Sequence, residues 1–145
     1  MKKRYRVLGV IIVLGMVIGF FFFSQKTSPS MCCNNQCFTL ELAITQEEKQ
    51  HWLMQRDSLS DEVGMLFIFE QEDHHSFRMK NTHIPLDMIR INKYMKIVDI
   101  QKAFPCKEDP CSFYIPVEKA MYVLEINQWM SDQQGIKVWD NCILY

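Results

Sequence analysis

Between Val7 and Phe23 the chain runs through 17 residues, VLGVIIVLGMVIGFFFF, without a single charge. A cluster of four cations, Lys2, Lys3, Arg4 and Arg6, precedes it. A helix of that length reaches about 26 Å, at the short end for a bilayer core of roughly 30 Å. It exceeds the ~7–15 residues usual in the hydrophobic region of a cleaved signal. The segment reads as an N-terminal hydrophobic helix acting as an uncleaved membrane anchor. A cleaved signal is the first alternative and lipidation at Cys32 or Cys33 the second. In each case the positive cluster stays on the cytoplasmic side and the rest is exported. The expected location is the cell envelope: anchored in the inner membrane with the domain outside the cytoplasm, or secreted if the signal is cut. Gly15 and Gly19 form a GxxxG that could pair two such helices, although a membrane span tolerates glycines without that purpose.

This divides the chain into an anchor and tether over 1–30 and a folded domain over 31–145, one domain's worth of sequence. Setting the four basic residues aside leaves 12 Lys+Arg against 17 Asp+Glu. With no basic run interleaved with aromatics, nucleic acid is not an expected partner. Six cysteines in an exported chain are disulfide candidates. Cys106 and Cys111, in the Pro-flanked loop FPCKEDPC, suit a short bridge, and a bond from Cys32, Cys33 or Cys37 to Cys142 would tie the chain ends together. Zinc is disfavoured, because no Cys-x2-Cys pair is present.

SQKTSPSMCCNNQ reads as a polar tether. FTLELAI (38–44) alternates as a half-buried strand. TQEEKQHWLMQR opens on a Thr45–Glu48 capping box and predicts a helix of about three turns that buries Trp52, Leu53 and one side of His51. GMLFIF suits a central strand, and the acidic run Glu70–Asp73 a solvated turn. SFRMK, LDMIRI, YMKIVDIQ and KAMYVLEI read as further strands, WMSDQQ as a helical turn stopped at Gly135, and IKVWD and CILY close the chain. About seven short strands indicate a mainly β fold, a small antiparallel sandwich or barrel with one or two short helices.

The ordered series GMLFIF, HSFRMKNTHIPLDMIRIN, KIVDI, FPCKEDPC, YVLEIN and GIKVWD resembles the domain-of-unknown-function family 192, from about Phe38 to Leu144. The resemblance implies a compact, mostly antiparallel structure of jelly-roll character and supplies no activity. Three positions depart from the family pattern. Arg78 stands where an aromatic is usual, and Trp129 and Trp139 stand where glycine is common.

The densest polar cluster lies in FRMKNTHIPLD. As a hairpin it would set Lys80 opposite Asp87 as an ion pair, with Asn81 and Thr82 forming the turn. As a site it would make Lys80, Asn81 and Asp87 the rim of a pocket floored by Met65, Phe77 and Met79. Glu125 shares a strand face with Met121 and Val123, so it is expected to be partly buried with a raised pKa, or paired with Lys80 or Arg78. Lys80, Asn81, Asp87 and Glu125 are thus the candidate ligand-binding residues. No GxSxG elbow accompanies the serines. His74, His75, Met79 and Met88 could suit copper, although adjacent histidines point apart in extended chain and methionine is ordinary core filler. The reading is an exported, membrane-tethered module that binds a small ligand or an envelope protein, with no resident metal or cofactor. The alternatives are an enzyme using Glu125 or Asp87 as acid–base, a copper-binding protein, and a structural accessory docking through Trp129 and Trp139.

Overall fold

The computed structural model describes residues 28–51 and 53–145. The apolar run at 7–23 and the expected burial of Trp52 lie outside the described residues. No helix among those described is long and apolar enough to cross a membrane.

Seven strands form one sheet: β1 (Ser30–Cys33), β2 (Gln36–Ala43), β3 (Val63–Asp73), β4 (Leu86–Ile91), β5 (Ile97–Ala103), β6 (Ala120–Asn127) and β7 (Cys142–Leu144). Two short helices accompany them, α1 (Gln46–His51) and α2 (Met130–Gln133). The strand order is β5-β4-β6-β3-β2-β1-β7. The sheet curls into a half-barrel whose edges meet at one end. There Lys96 bridges Asn141, and the Ile97 and Cys142 amides donate to the Asp140 and Met95 carbonyls.

The expected mainly β fold with short helices holds, and of the sandwich or barrel expected the chain forms a half-barrel that is not wholly antiparallel. Among the described residues there is a single sheet, and β2 and β3 pair in parallel. Parallel neighbours need a crossover connection. The capping-box helix supplies it: Glu48 Oε2 accepts from the Ile44 and Thr45 amides at 2.9 Å, and Thr45 Oγ1 accepts from the Glu48 amide. α1 spans six residues, shorter than the three turns expected.

Three further expectations change. Residues 30–33 are strand rather than tether, because a turn at Asn34, in the left-handed region at φ 57°, folds them onto β2. The acidic run 70–73 continues β3 past an irregularity instead of turning. SFRMK is not a strand: Phe77 makes one isolated bridge to Tyr114, and the segment crosses the outside of the sheet, so no hairpin joins it to β4.

Both faces of the sheet are buried. Inside the curl lie Met31, Phe38, Leu66, Ile89, Leu124 and Ile126. On the outer face Met65, Phe67, Met88 and Val123 are covered by Leu53, Met79 and Ile84. Gly64 is required where β3 meets β6, since a Cβ there would stand 2.7 Å from Leu124 Cδ1. Trp129 and Trp139 have φ of 73° and 78°, the left-handed region that favours glycine.

All six cysteines are paired, as Cys32–Cys37, Cys33–Cys142 and Cys106–Cys111. The expected loop bridge and a tie between the chain ends are both present. Cys33–Cys142 closes 109 residues and Cys106–Cys111 closes five. Loop-closure entropy assigns them about 5 and about 2 kcal/mol. Replacing Cys33 and Cys142 together by alanine should therefore lower the urea midpoint far more than replacing Cys106 and Cys111. Equal losses would contradict this.

Candidate functional site

The alternation of β6 decides where its one carboxylate goes. Leu124 and Ile126 enter the inner core, so Val123 and Glu125 face outward. Glu125 lies opposite Met65 on β3 and Met88 on β4. It is 3% exposed, and its carboxyl has no hydrogen-bond partner among the described residues. Burial pushes its pKa up to about 8, with the Arg90 charge pulling the other way. Arg90, on the same face of β4, is wholly buried, and burial lowers its own pKa. Its Nη2 donates to the Tyr114 carbonyl at 2.9 Å and to Gln101, while Nε and Nη1 have no partner. The Phe77 ring lies 5.3 Å from its Cζ.

Glu125 forms the base of a depression between α1 and the segment 74–82. An outer cleft of about 750 Å³ adjoins an inner pocket of about 50 Å³, and the two share Lys49, Gln50, Met54, Phe77, Arg78 and Lys80 as walls. Leu53, Phe67 and Met79 complete the apolar lining of the inner part. The outer cleft is lined by three cations, Lys49, Arg78 and Lys80, and by His51, His74 and His75. No aspartate or glutamate among the described residues lines it. The cations are held loosely. Lys49 lies over Phe69 at 4.6 Å, Arg78 over Phe113 at 5.1 Å, and Lys80 Nζ meets Asp109 at 2.7 Å in an exposed pair. Such contacts contribute at most ~1 kcal/mol each and yield readily to a ligand.

Of the four candidate residues, Lys80 and Glu125 line the same pocket. Asn81 sits beside it as the left-handed turn residue, with its carbonyl accepting from the Gln55 amide at 2.7 Å. Asp87 does not join them. It points to the opposite face of the sheet, is 0% exposed, and is not paired with Lys80. It accepts from the Trp129 and Ser131 amides at 3.0 and 2.9 Å, from Ser131 Oγ at 2.6 Å and from Lys102 Nζ at 3.0 Å. This carboxylate therefore fastens the first turn of α2 to β4. The hairpin expectation failed because residues 74–82 cover the sheet instead of joining it. Glu125 pairs with neither Lys80 nor Arg78.

Lys49 was not singled out from sequence, because nothing in a capping-box helix says which strand it will cross. Arg78 stood out in sequence as a departure from the family's aromatic and as a possible partner of Glu125, not as a wall of a cleft. The copper set is not assembled: Met79 and Met88 are core residues, while the His74 and His75 rings reach the Pro116 and Gln71 carbonyls. Trp129 and Trp139 are exposed, and Trp129 lies 5.1 Å from Lys102 Nζ.

The fold and this cleft define a small, disulfide-braced β domain with a recess that ends on a lone buried acid. The chain belongs to the DUF192 family, described as "Uncharacterized ACR", which matches residues 30–143. It is similar to a solved protein of unknown function from Novosphingobium aromaticivorans DSM 12444, at 32% identity, covering 79% of this chain and 83% of that one with a TM-score of 0.73. It is also similar to a candidate transcription regulator from Sinorhizobium meliloti 1021, at 27% identity, covering 83% and 96% of the two chains with a TM-score of 0.73. No curated protein matches the sequence.

The two buried carboxylates predict opposite behaviour. Glu125 holds its proton more tightly folded than unfolded. Its contribution to stability is therefore complete below the ordinary value of 4.5 and is lost as pH rises to about 8. The loss amounts to roughly 3–5 kcal/mol. Glu125→Gln should flatten the decline in urea stability between pH 5 and 8 and exceed wild type at pH 8. Asp87→Ala should cost about 2–4 kcal/mol near neutral pH by leaving the Trp129 and Ser131 amides and the Ser131 hydroxyl without their acceptor, while Lys102 keeps Asp132 at 2.8 Å. A wild type with no decline across this range would overturn the assignment for Glu125.

Proposed function

We propose that this protein is an exported, membrane-tethered domain that binds a small ligand in the cleft between α1 and residues 74–82. Lys80 and Glu125 face the ligand, joined by Lys49 and Arg78. The observation that carries this reading is the unpartnered Glu125 carboxyl at the base of the recess. A buried polar group without a hydrogen bond costs about 1–3 kcal/mol, and an occupant that completes the bond recovers it. A sequence selected only for stability has an easier solution, an apolar residue among Met65, Met88 and Val123. The walls supply what a ligand site needs, apolar rings beneath a few convergent polar groups. Binding is favoured over turnover because the cleft offers no second carboxylate and the cysteines are all bridged.

A thermal-shift screen of the full chain in mild detergent, using amino acids, sugars, organic acids, sugar phosphates and Cu or Zn ions, tests this. Gln50 lines both the cleft and the inner pocket, so Gln50→Trp should obstruct them. A true ligand should lose at least tenfold in affinity there, on the order of 1.4 kcal/mol. A hit bound equally well by wild type, Gln50→Trp and Glu125→Gln would place the ligand elsewhere and sink the reading.

A further inference from the structure

We infer that the ligand of this cleft carries a small anionic group, a carboxylate or a phosphate, which enters the inner pocket between Lys49, Arg78 and Lys80 and accepts a hydrogen bond from Glu125. The inference rests on the cleft being the binding site and names what it binds. Three observations lead to it. The domain as a whole is acidic, with 17 Asp+Glu in the chain, yet the outer cleft is lined by three cations and no acid. Those same three residues and Glu125 line one inner pocket of about 50 Å³, space for a group of only a few atoms, so the cations can reach a headgroup there by leaving Phe69, Phe113 and Asp109. The Glu125 carboxyl is unpartnered and opens into that space, with Phe67 and Phe77 to receive an apolar carbon beside the headgroup. A cation would meet three like charges at the mouth. A neutral ligand would leave the cations unused.

Glu125 binds the anion in its protonated form, so above about pH 8 the ligand must bring a proton with it. An ionised Glu125 would repel the anion it touches, whereas a protonated one donates to it. The charged groups around it are Arg90 from β4, Lys49 from α1, and Arg78 and Lys80 from the covering segment, with Asp109 paired to Lys80 and acting on Arg78, and Asp99 of β5 acting on Arg90. Lysine and arginine keep their charge through pH 9, so Glu125 controls the response in that range. With its pKa near 8, affinity for an anion falls about tenfold between pH 7 and pH 9, a window above the ordinary histidine range.

Calorimetric titration of the full chain in detergent with propionate, inorganic phosphate, propionamide and propylammonium tests the class. Propionate or phosphate should bind at least tenfold more tightly than the amide or the ammonium ion, and the preferred anion distinguishes carboxylate from phosphate ligands. Propionate affinity should fall about tenfold from pH 7 to pH 9 in wild type and stay level in Glu125→Gln, whose amide donates at both pH values. A Lys49→Gln, Arg78→Gln pair should weaken propionate at least tenfold with no change in melting temperature. Propionamide or propylammonium binding as tightly as propionate would overturn the anion assignment. So would a pH profile unchanged by Glu125→Gln. If none of the four probes binds while a metabolite hit is lost in Gln50→Trp, the cleft stands and the anion inference falls. Propionate binding that ignores both Gln50→Trp and the rim pair would remove the cleft reading itself.

Discussion

Strand β6 is packed on both faces, and Glu125 has no solvated place to go. Leu124 and Ile126 are needed inside the curl, so the strand period of two turns Glu125 into the outer layer, between Met65 and Met88. Burial of this kind ordinarily ends in a hydrogen bond or an ion pair. Here Arg90 acts on the carboxyl only through its charge, while its Nη2 serves Tyr114 and Gln101. The result is a carboxyl that keeps its proton near neutral pH and meets open space on one side.

That space is a consequence of topology. The parallel pairing of β2 and β3 obliges the chain to leave the sheet and return, and α1 lies on that route. Residues 74–85 cross the same face after β3, with Phe77, Met79 and Ile84 packed down on it. The crossover buries Leu53 just after α1, the second segment buries Met79 and Ile84, and a seam lies between the two. Asp87 shows what the same sheet does with a carboxylate it needs for structure. It is surrounded by two amides, a hydroxyl and an ammonium group, all supplied by the protein itself.

The elements with regular alternation were legible in sequence. KAMYVLEI gave β6 and the outward face of Glu125, and Thr45–Glu48 gave the start of α1. The Pro-flanked cysteines gave their bridge. The parallel pair was not legible, because alternation shows which face a strand buries and not which neighbour it takes. SFRMK alternates as a strand would, but its Phe77 and Met79 are buried as a lid on the outer core rather than as members of the sheet. For that reason Lys80 and Asp87, seven positions apart, lie on opposite sides, while Lys80 and Glu125, far apart in sequence, line one pocket. The left-handed backbone at Trp129 and Trp139 was foreshadowed only by the glycines common there in the family.

The central claim is that Glu125 is a neutral acid waiting at the base of a cleft. Carboxyl carbon chemical shifts of isotopically labelled protein, followed through a pH titration, read its protonation directly. The expected midpoint lies near 8, well above the ordinary 4.5, and rises further when propionate saturates the protein. A midpoint close to 4.5, indifferent to propionate, would contradict it.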